Sequence, residues 1–565
     1  MESSSASLLS DRVFEHHYGD TTRLKDLERS YARARAIGRW HSLTLEDVLH
    51  LTPKFWECHQ DRIIVRDTTA QILFTIQLNL VAGTLAPFVF KRPDLEPLFK
   101  EILNFDITAP FMLNEVGHGC DARNLETTAT WQTDGGFILN TPNPEAIKFM
   151  PPSMPIAGIR RIAIVMARLL VKGENRGIRP FVVPINDGKQ MCEGVHSWLL
   201  PSIAGGKMLD HALTSFQHVR LPANSMLGEL AKPDNLRDQY LSTIGRLGTG
   251  ALALSLWMIP FLKCATFIVG SYSQRRTVQQ GAKGERAPII SFRTQQLPIM
   301  HSLAQIAVMK PFADWLTDVF SNDVSLHPGA RHGLGVILKN VFLFNGQGSL
   351  ASLIERSGAQ GMYPHNQLTT FESLARATGI AEGEVLVLSI RLATELLIER
   401  YKIPEATMPN CLLAQHEAGI IVELKDLQRS IKDHRSAEYN SYILPHCRPM
   451  VLGIGQRMAY EAAANAGVDP SLLALYEVGA IKSDPSWYVE NQGLSRAAQF
   501  ELERKALDGV LPRLDEHLRD LDIESFCTAP MLSMDRVEGL MTAIPSFTGS
   551  AHVDVSFSGG YAPKL

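Results

Sequence analysis

A glutamate followed at once by glycine, Glu382-Gly383, stands just ahead of a helical pattern running from Glu384 to Tyr401. A carboxylate at such a loop–helix junction can point into a cavity with an unobstructed backbone amide beside it, a place from which it can exchange a proton. Glu382 and Glu384 can equally serve only as the acidic first turn that complements the positive end of the helix. A second group lies in Asn114-Glu-Val-Gly-His-Gly119, followed by Thr127 and Thr128. Gly117 and Gly119 let the backbone approach a ligand closely, and Asn114 with either threonine offers polar contacts. The alternative is a glycine-rich turn joining two strands. Arg275 and Arg276 sit late in a helical stretch, either as a solvated basic face or as a guanidinium able to grip an anion with two bonds.

Other chemistries lack their residues. The chain contains no Walker A loop and no HExxH. Gly248-Thr-Gly250-Ala-Leu-Ala253 imitates a dinucleotide fingerprint, but it falls inside a helical pattern with no strand before it. Cys58, Cys120, Cys192, Cys264, Cys411, Cys447 and Cys527 are scattered and never spaced CxxC, so neither a disulfide framework nor a metal site is expected.

The elements that must position these groups change along the chain. Thr22 to Arg39 is charged and alanine-rich, and Leu43 to His50 shows a serine cap followed by apolar spacing, so residues 1–108 read as a helical domain. Short β-rich runs follow (Thr127–Trp131, Phe137–Asn140, Ile162–Ala167, Phe181–Ile185), separated by glycine, proline, asparagine and aspartate. They predict a small antiparallel β-domain over 109–225. Long helical patterns return at Leu241–Ile268, Thr294–Phe320, Val336–Glu355 and Glu384–Tyr401, giving a bundle over 226–402. A last helical block, with Leu494–Asp508 as an example, occupies 403–565. The fold class is therefore α+β with helices on either side of a β-domain.

Bulk composition limits the partners. With 565 residues the chain exceeds one compact core, and 45% hydrophobic with 20% charged residues is ordinary for a globular protein. Fifty-five basic against 59 acidic residues, a net charge of −4, leave no basic stripe for nucleic acid. Ala251 to Gly270 is nearly long enough to span a bilayer, but Pro260 and Lys263 interrupt it, so a core helix is expected rather than membrane insertion. Met1-Glu-Ser-Ser-Ser5 has no secretory pattern.

The ordered set of motifs resembles the acyl-CoA oxidase/dehydrogenase family, and the oxidases above all. Asn114-Glu-Val-Gly-His-Gly-Cys-Asp-Ala-Arg-Asn-Leu-Glu-Thr-Thr-Ala-Thr130 is similar to the oxidase segment Thr-Glu-Leu-Gly-His-Gly-Thr…Gly-Leu-Glu-Thr-Thr-Ala-Thr. Phe137-Ile-Leu-Asn-Thr-Pro142, Lys148-Phe-Met-Pro151, Phe181-Val-Val-Pro-Ile185, His218-Val-Arg-Leu-Pro222, Tyr272-Ser-Gln-Arg-Arg276 and Thr294-Gln-Gln296 follow in the family's order. Gly358-Ala-Gln-Gly-Met-Tyr363 stands for Gly-Gly-His-Gly-Tyr, and Ala381-Glu-Gly-Glu-Val385 for Phe-Glu-Gly-Glu-Asn. The likeness covers about 110 to 400 well.

The resemblance implies an acyl-CoA dehydrogenase-like fold, FAD as cofactor, an acyl-CoA or other acyl thioester as substrate, O2 as oxidant and a homodimer. Glu382 falls on the catalytic base, with its own N–H beside the thioester carbonyl and Glu384 as its structural partner. Arg275 falls on the residue that reaches the cofactor's phosphates. Asn114, Gly117, Gly119, Pro152, Gln360 and Gly361 fall on further cofactor-contacting positions. Several of these depart from the family: Asn114 replaces a threonine, Pro152 a glycine, Gln360 a histidine, Val385 an asparagine, and Phe149-Met150 a tryptophan pair. Proline has no N–H to donate, so the rim of the site has changed while the base remains. The departures imply a specialised paralogue acting on an unusual acyl group. A dehydrogenase with a protein electron acceptor, a divergent flavin oxidase or monooxygenase, and a non-catalytic relative are the alternatives; Glu382 speaks against the monooxygenase. Ala562-Pro-Lys-Leu565 is similar to the Ser-Lys-Leu peroxisomal address, so a peroxisomal or cytoplasmic location is expected.

Overall fold

The computed structural model describes residues 5–18, 22–203, 209–280, 284–323, 325–431 and 433–555. The C-terminal Ala562-Pro-Lys-Leu565 and most of the opening Met1–Ser5 lie outside them. The N-terminal part is helical. Thr22 caps the helix Arg23–His41 by accepting the Lys25 N–H, and Ser42 ends it in the left-handed region. The next helix, Leu45–His50, is therefore capped not by serine but by Thr44, in a reciprocal capping box with Asp47.

A long apolar stretch, Thr68–Val89, then runs as α-helix over Thr68–Thr75, as π-helix over Ile76–Ala82 and as α-helix again over Gly83–Val89. A π segment inserts a residue per turn and turns side chains out of the regular stripe.

Among its described residues the β-domain holds nine strands: β1 (Phe111–Met112), β2 (Thr128–Trp131), β3 (Phe137–Asn140), β4 (Lys148–Pro152), β5 (Arg161–Val171), β6 (Glu174–Asn186), β7 (Val195–Leu199), β8 (His211–Phe216) and β9 (Val219–Leu221). β5 and β6 form a hairpin closed by Lys172-Gly173, both with positive φ, the conformation a tight two-residue turn demands. β5 also runs parallel to β1 and to β2, so the larger sheet is mixed, with order β1-β5-β2-β3-β9 and β6 on the other edge of β5. β4, β8 and β7 make a separate antiparallel sheet.

One buried ion pair ties two of the sequence motifs together here. Lys148 Nζ donates to Glu115 Oε1 at 2.9 Å, to the Leu113 carbonyl and to the Met166 carbonyl. Glu115 also accepts the backbone N–H groups of Glu126 and Thr127. Both charges are sealed from water, which costs stability unless every donor and acceptor is met, and here they are.

The bundle begins with helices Leu236–Thr243, Arg246–Leu256 and Met258–Arg275. Pro260 is tolerated because it lies in the first turn of its helix, where its missing N–H removes no bond. Two helical stretches, Thr68–Val89 and Leu236–Arg275, are long and apolar enough to cross a membrane, but their apolar windows are 78% and 94% buried inside the protein, as core helices are. Helices Arg293–Asn322, Pro328–Arg356, Leu368–Ile380 and Val385–Leu397 complete the bundle. Leu412–Gln428, Leu444–Asn465, Pro470–Ile481 and Arg496–Val510 lead the C-terminal block. A single apolar core runs through all these helical parts, and the β-domain has a second core of its own.

Candidate active site

Two helices meet at Glu382. Leu368–Ile380 stops at Ala381, Glu382 and Gly383 turn the chain with φ of 53° and 98°, and Glu384 begins the helix Val385–Leu397. The two carboxylates of this turn divide the roles that the sequence leaves open. Glu384 is the helix cap, accepting the N–H groups of Leu386 and Val387, each at 3.0 Å. Glu382 does not cap. The residue is half-buried, but its carboxylate is turned inward, and Oε2 is buried with no hydrogen-bond partner. A carboxylate stripped of water without compensating donors holds its proton tightly. Burial pushes Glu382 up to about 8, against the lowering pull of Lys339.

Three residues surround it, of which the sequence reading passes over Asn79 and Lys339 and meets Gly250 only in the false dinucleotide fingerprint. Gly250 makes room: a Cβ at that position would lie 1.3 Å from Glu382 Oε2. The same Cβ would lie 2.6 Å from Asn79 Nδ2, so the Asn79 amide and the Glu382 carboxylate meet beside this glycine. Asn79 comes from the π segment, donates to the Arg246 carbonyl at 3.2 Å, and keeps its own Oδ1 buried and unpartnered. Lys339, fully buried in the helix Pro328–Arg356, donates to the carbonyls of Ala381 and Gly383, each at 2.7 Å. Burial brings Lys339 down to about 8 against the raising effect of Glu382 and Glu384. A lone lysine inside Val336-Ile-Leu-Lys-Asn-Val341 is the signal that could have found it, since a lysine in a core pattern needs a partner.

The β-domain candidates surround the start of β4. Asn114 is exposed and its carbonyl accepts the Phe149 N–H at 3.0 Å. Gly117 has a part in the fold. Its N–H donates to the Glu145 carbonyl, and an added Cβ would lie 2.9 Å from Glu145 Cβ. Thr127 is likewise spent internally, its N–H on Glu115 and its hydroxyl on the Ala146 carbonyl. The Thr128 hydroxyl points to the Asn140 carbonyl at 3.5 Å. Gly119 is open, with nothing within 4 Å of where its Cβ would be. Pro152 is buried at the end of β4, its carbonyl accepting from Arg161 at 2.6 Å. Across the small sheet, Phe149, Leu213 and Trp198 stand in register on three adjacent strands. Phe149 and Trp198 are exposed, so the row forms a flat apolar strip at the surface.

The remaining candidates converge on the C-terminal segment. Arg275 donates to the Met531 carbonyl at 2.8 Å, and the Met531 N–H donates to Asn366. Asn366 in turn donates to the backbone and side-chain oxygens of Gln360. Gly361 packs against the end of the preceding helix, where a Cβ would be 2.5 Å from the Ile354 carbonyl. Among the described residues no hydrogen bond or ion pair joins the Glu382, β4 and Met531 groups to one another.

No protein-family profile matches the chain. Sequence relatives do. It is 26% identical over 359 residues to a peroxisomal acyl-coenzyme A oxidase 2 of Arabidopsis thaliana, covering 60% of this chain and 51% of that protein. It is 27% identical over 346 residues to the human peroxisomal acyl-coenzyme A oxidase 3, covering 58% and 48%. The fold agrees: acyl-CoA oxidase 1 of Yarrowia lipolytica superposes with a TM-score of 0.80 at 18% identity, over 95% of this chain and 88% of that one. The chain is similar to the acyl-CoA oxidases in sequence and in fold.

The chain spans about half the length of the curated relatives it matches. Its fold is the α+β fold of the acyl-CoA oxidase structures. An acyl-CoA oxidase 2 of Caenorhabditis elegans, solved bound with FAD, ascaroside-CoA and ATP, has a TM-score of 0.70 at 15% identity, covering 94% of this chain and 95% of that one.

Proposed function

We propose that this chain is a flavin-dependent oxidase that removes hydrogens from the α and β carbons of an acyl-CoA thioester, with Glu382 as the base. One observation carries the reading: an inward-turned carboxylate with a buried, unpartnered oxygen, pushed up to about 8. Such a group accepts a carbon-bound proton far better than an exposed carboxylate and is poised near working pH. The Glu382 N–H makes no hydrogen bond among the described residues, so it is free to receive the thioester oxygen and stabilise the charge that develops there. Gly250 leaves the carboxylate its space, and Glu384 and Lys339 hold the turn.

The residues present fit FAD. The apolar strip of Phe149, Leu213 and Trp198, with Asn114 exposed beside Phe149, suits a planar ring system. Gly119 leaves open space nearby, and Arg275 with Gln360 and Gly361 is the proposed phosphate-side cluster. Held by these residues, FAD would supply the acceptor for the β-hydrogen as hydride and, with O2 as oxidant, the route to hydrogen peroxide. The chain's own residues take the α-proton and hold the carbonyl, and the product is a trans-2-enoyl thioester. Asn114, Gly117 and Pro152 are proposed as cofactor-side positions through their backbone surroundings.

We assign residues 1–108, 109–225, 226–402 and 403–565 to four domains, and a homodimer and a peroxisomal location to the working protein. The relatives named above as peroxisomal support the last of these. The test is oxygen uptake and peroxide release on a panel of acyl-CoAs. Stoichiometric peroxide with wild type and none with Glu382→Gln supports the proposal. Dye reduction without peroxide makes the enzyme a dehydrogenase, and turnover that survives in Glu382→Gln removes the glutamate from the mechanism.

A further inference from the structure

Glu382 occupies a backbone conformation that L-residues avoid, and the glycine after it is also left-handed. Neither neighbouring helix requires this. Leu368–Ile380 ends with an ordinary bond from the Ala381 N–H to the Ala377 carbonyl, and Val385–Leu397 has its cap in Glu384. What the two-residue turn achieves is to aim the Glu382 carboxylate inward. Something must hold it there, since a strained conformation persists only where its surroundings over-determine it.

The Lys339 ammonium is placed to do this. It donates to the carbonyl before Glu382 and to the carbonyl after it, each at 2.7 Å, so it grips the turn on both sides of the base. Its helix lies beneath the junction and is among the most buried in the molecule, which leaves the ammonium little freedom to follow a different turn. Desolvating a lysine is costly, and this one has no carboxylate within ion-pairing distance among the described residues. An apolar side chain in a helix-on-helix core would avoid that cost, so the lysine answers a need of the turn rather than of the core. The cation also sits at the C-terminal end of Leu368–Ile380, where carbonyls are unpaired and positive charge is favoured.

We infer that Lys339 is the positioning residue for the base, locking the turn that aims Glu382 at Asn79 and Gly250 and setting the electrostatic field in which Glu382 exchanges its proton. The inference rests on Glu382 being the base. The charged groups facing the Glu382 carboxylate are few. Lys339 approaches from its helix, while the π segment and the helix Arg246–Leu256 present the uncharged Asn79 and Gly250. Removing the lysine therefore removes the one cation lowering the proton affinity of Glu382.

The experiment compares Lys339→Met and Lys339→Arg with the flavin-loaded wild type. Lys339→Met should lower kcat about 100-fold, a fraction of what loss of a general base costs, with KM within about 3-fold. The acid limb of its kcat/KM profile should move up by about one pH unit, as expected when an opposite charge is lost. Lys339→Arg keeps the charge but not the compact grip, so its limb should stay in place while kcat falls. A lysine that merely supports the fold would lower the yield of active protein in both variants without moving either limb, and that result would overturn the inference.

A second readout does not need turnover. In protein carrying 13C-labelled glutamate carboxyls, the resonance missing from Glu382→Gln is assigned to Glu382 and titrated in wild type and in both lysine variants. An upward shift in Lys339→Met alone supports the lysine's hold on the Glu382 turn; if Glu382→Gln nevertheless remains active, it is the base assignment that fails, and the two failures are told apart. An unmoved titration overturns the inference whatever the kinetics.

Discussion

Replacing Glu382 by glutamine should make the protein gain stability relative to wild type as pH rises. In the native state burial carries the carboxyl from an ordinary 4.5 to about 8. Below 4.5 both the native and the unfolded chain hold the proton, and the residue contributes no pH dependence. Between 4.5 and about 8 the unfolded carboxyl has released its proton while the native one keeps it, so unfolding releases a proton and native stability falls with pH. Above about 8 the full cost of an ionised, poorly solvated carboxylate is present. At ~1.4 kcal/mol for each tenfold change in proton affinity, the displacement sets a ceiling of ~5 kcal/mol. The lowering pull of Lys339 is already contained in that value, leaving roughly 4 kcal/mol to be seen between pH 5 and 9.

Glutamine has nearly the same shape and no titration. Urea unfolding followed by tryptophan fluorescence, with Trp257 buried one helix end from Gly250, should therefore give nearly equal stabilities for the two proteins at pH 5. The variant should be the more stable by that amount at pH 9. A difference between the two proteins that stays constant within ~0.5 kcal/mol from pH 5 to 9 would refute the reasoning, because it would mean that Glu382 titrates alike in the folded and unfolded chain.

Gly250→Ala places its methyl on the position of Glu382 Oε2, the movable end of a side chain, so the fold should survive with a stability loss within ~1 kcal/mol while turnover drops at least ~100-fold. A variant that keeps normal turnover on any acyl-CoA would contradict the placement of the base. Lys148→Met leaves Glu115 charged and buried without its cation and should cost ~3–5 kcal/mol, seen as a lowered melting temperature of the β-domain; a loss below ~1 kcal/mol would show the pair to be dispensable. Under native conditions a thiol reagent should label the exposed Cys120 first, with Cys58, Cys264, Cys447 and Cys527 reacting only on unfolding, as mass mapping of the labelled peptides will show. Early labelling of Cys264 or Cys527, whose sulfurs lie 3.3 Å apart in the core, would mean that the C-terminal segment opens readily.

Much of the framework is legible in the amino-acid order because it depends on local patterns. The helices over Thr22–Arg39, Thr294–Phe320 and Val336–Glu355 and the strand Phe137–Asn140 follow from periodicity, and the structure extends the helices by a few residues at their ends. The motif around Asn114 is legible as a unit, but the reasons for its parts are not. Gly117 answers to the approach of Glu145, and the Thr127 hydroxyl and Glu115 close the interior of the β-domain, contacts made only when segments distant in the chain are brought together. Glu382 and Glu384 look alike in a sequence, both acidic and both at a helix start. A left-handed φ separates them, turning one carboxylate inward and leaving the other as the cap. The π segment is hidden because Ile76-Gln-Leu-Asn-Leu-Val-Ala82 reads as ordinary apolar helix, and only its packing shows that Asn79 is turned toward the base. The parallel pairing of β5 with β1 and β2 is a property of topology that alternation within a strand does not carry.

In the proposed reaction Glu382 takes the α-proton in a flavin-linked desaturation. Anaerobic mixing of the flavin-loaded protein with saturated acyl-CoAs, followed by absorbance, tests it most directly. The flavin bands should bleach in wild type, with one enoyl thioester formed per flavin, and stay unbleached in Glu382→Gln at equal flavin content. Bleaching at the same rate in both proteins would contradict it.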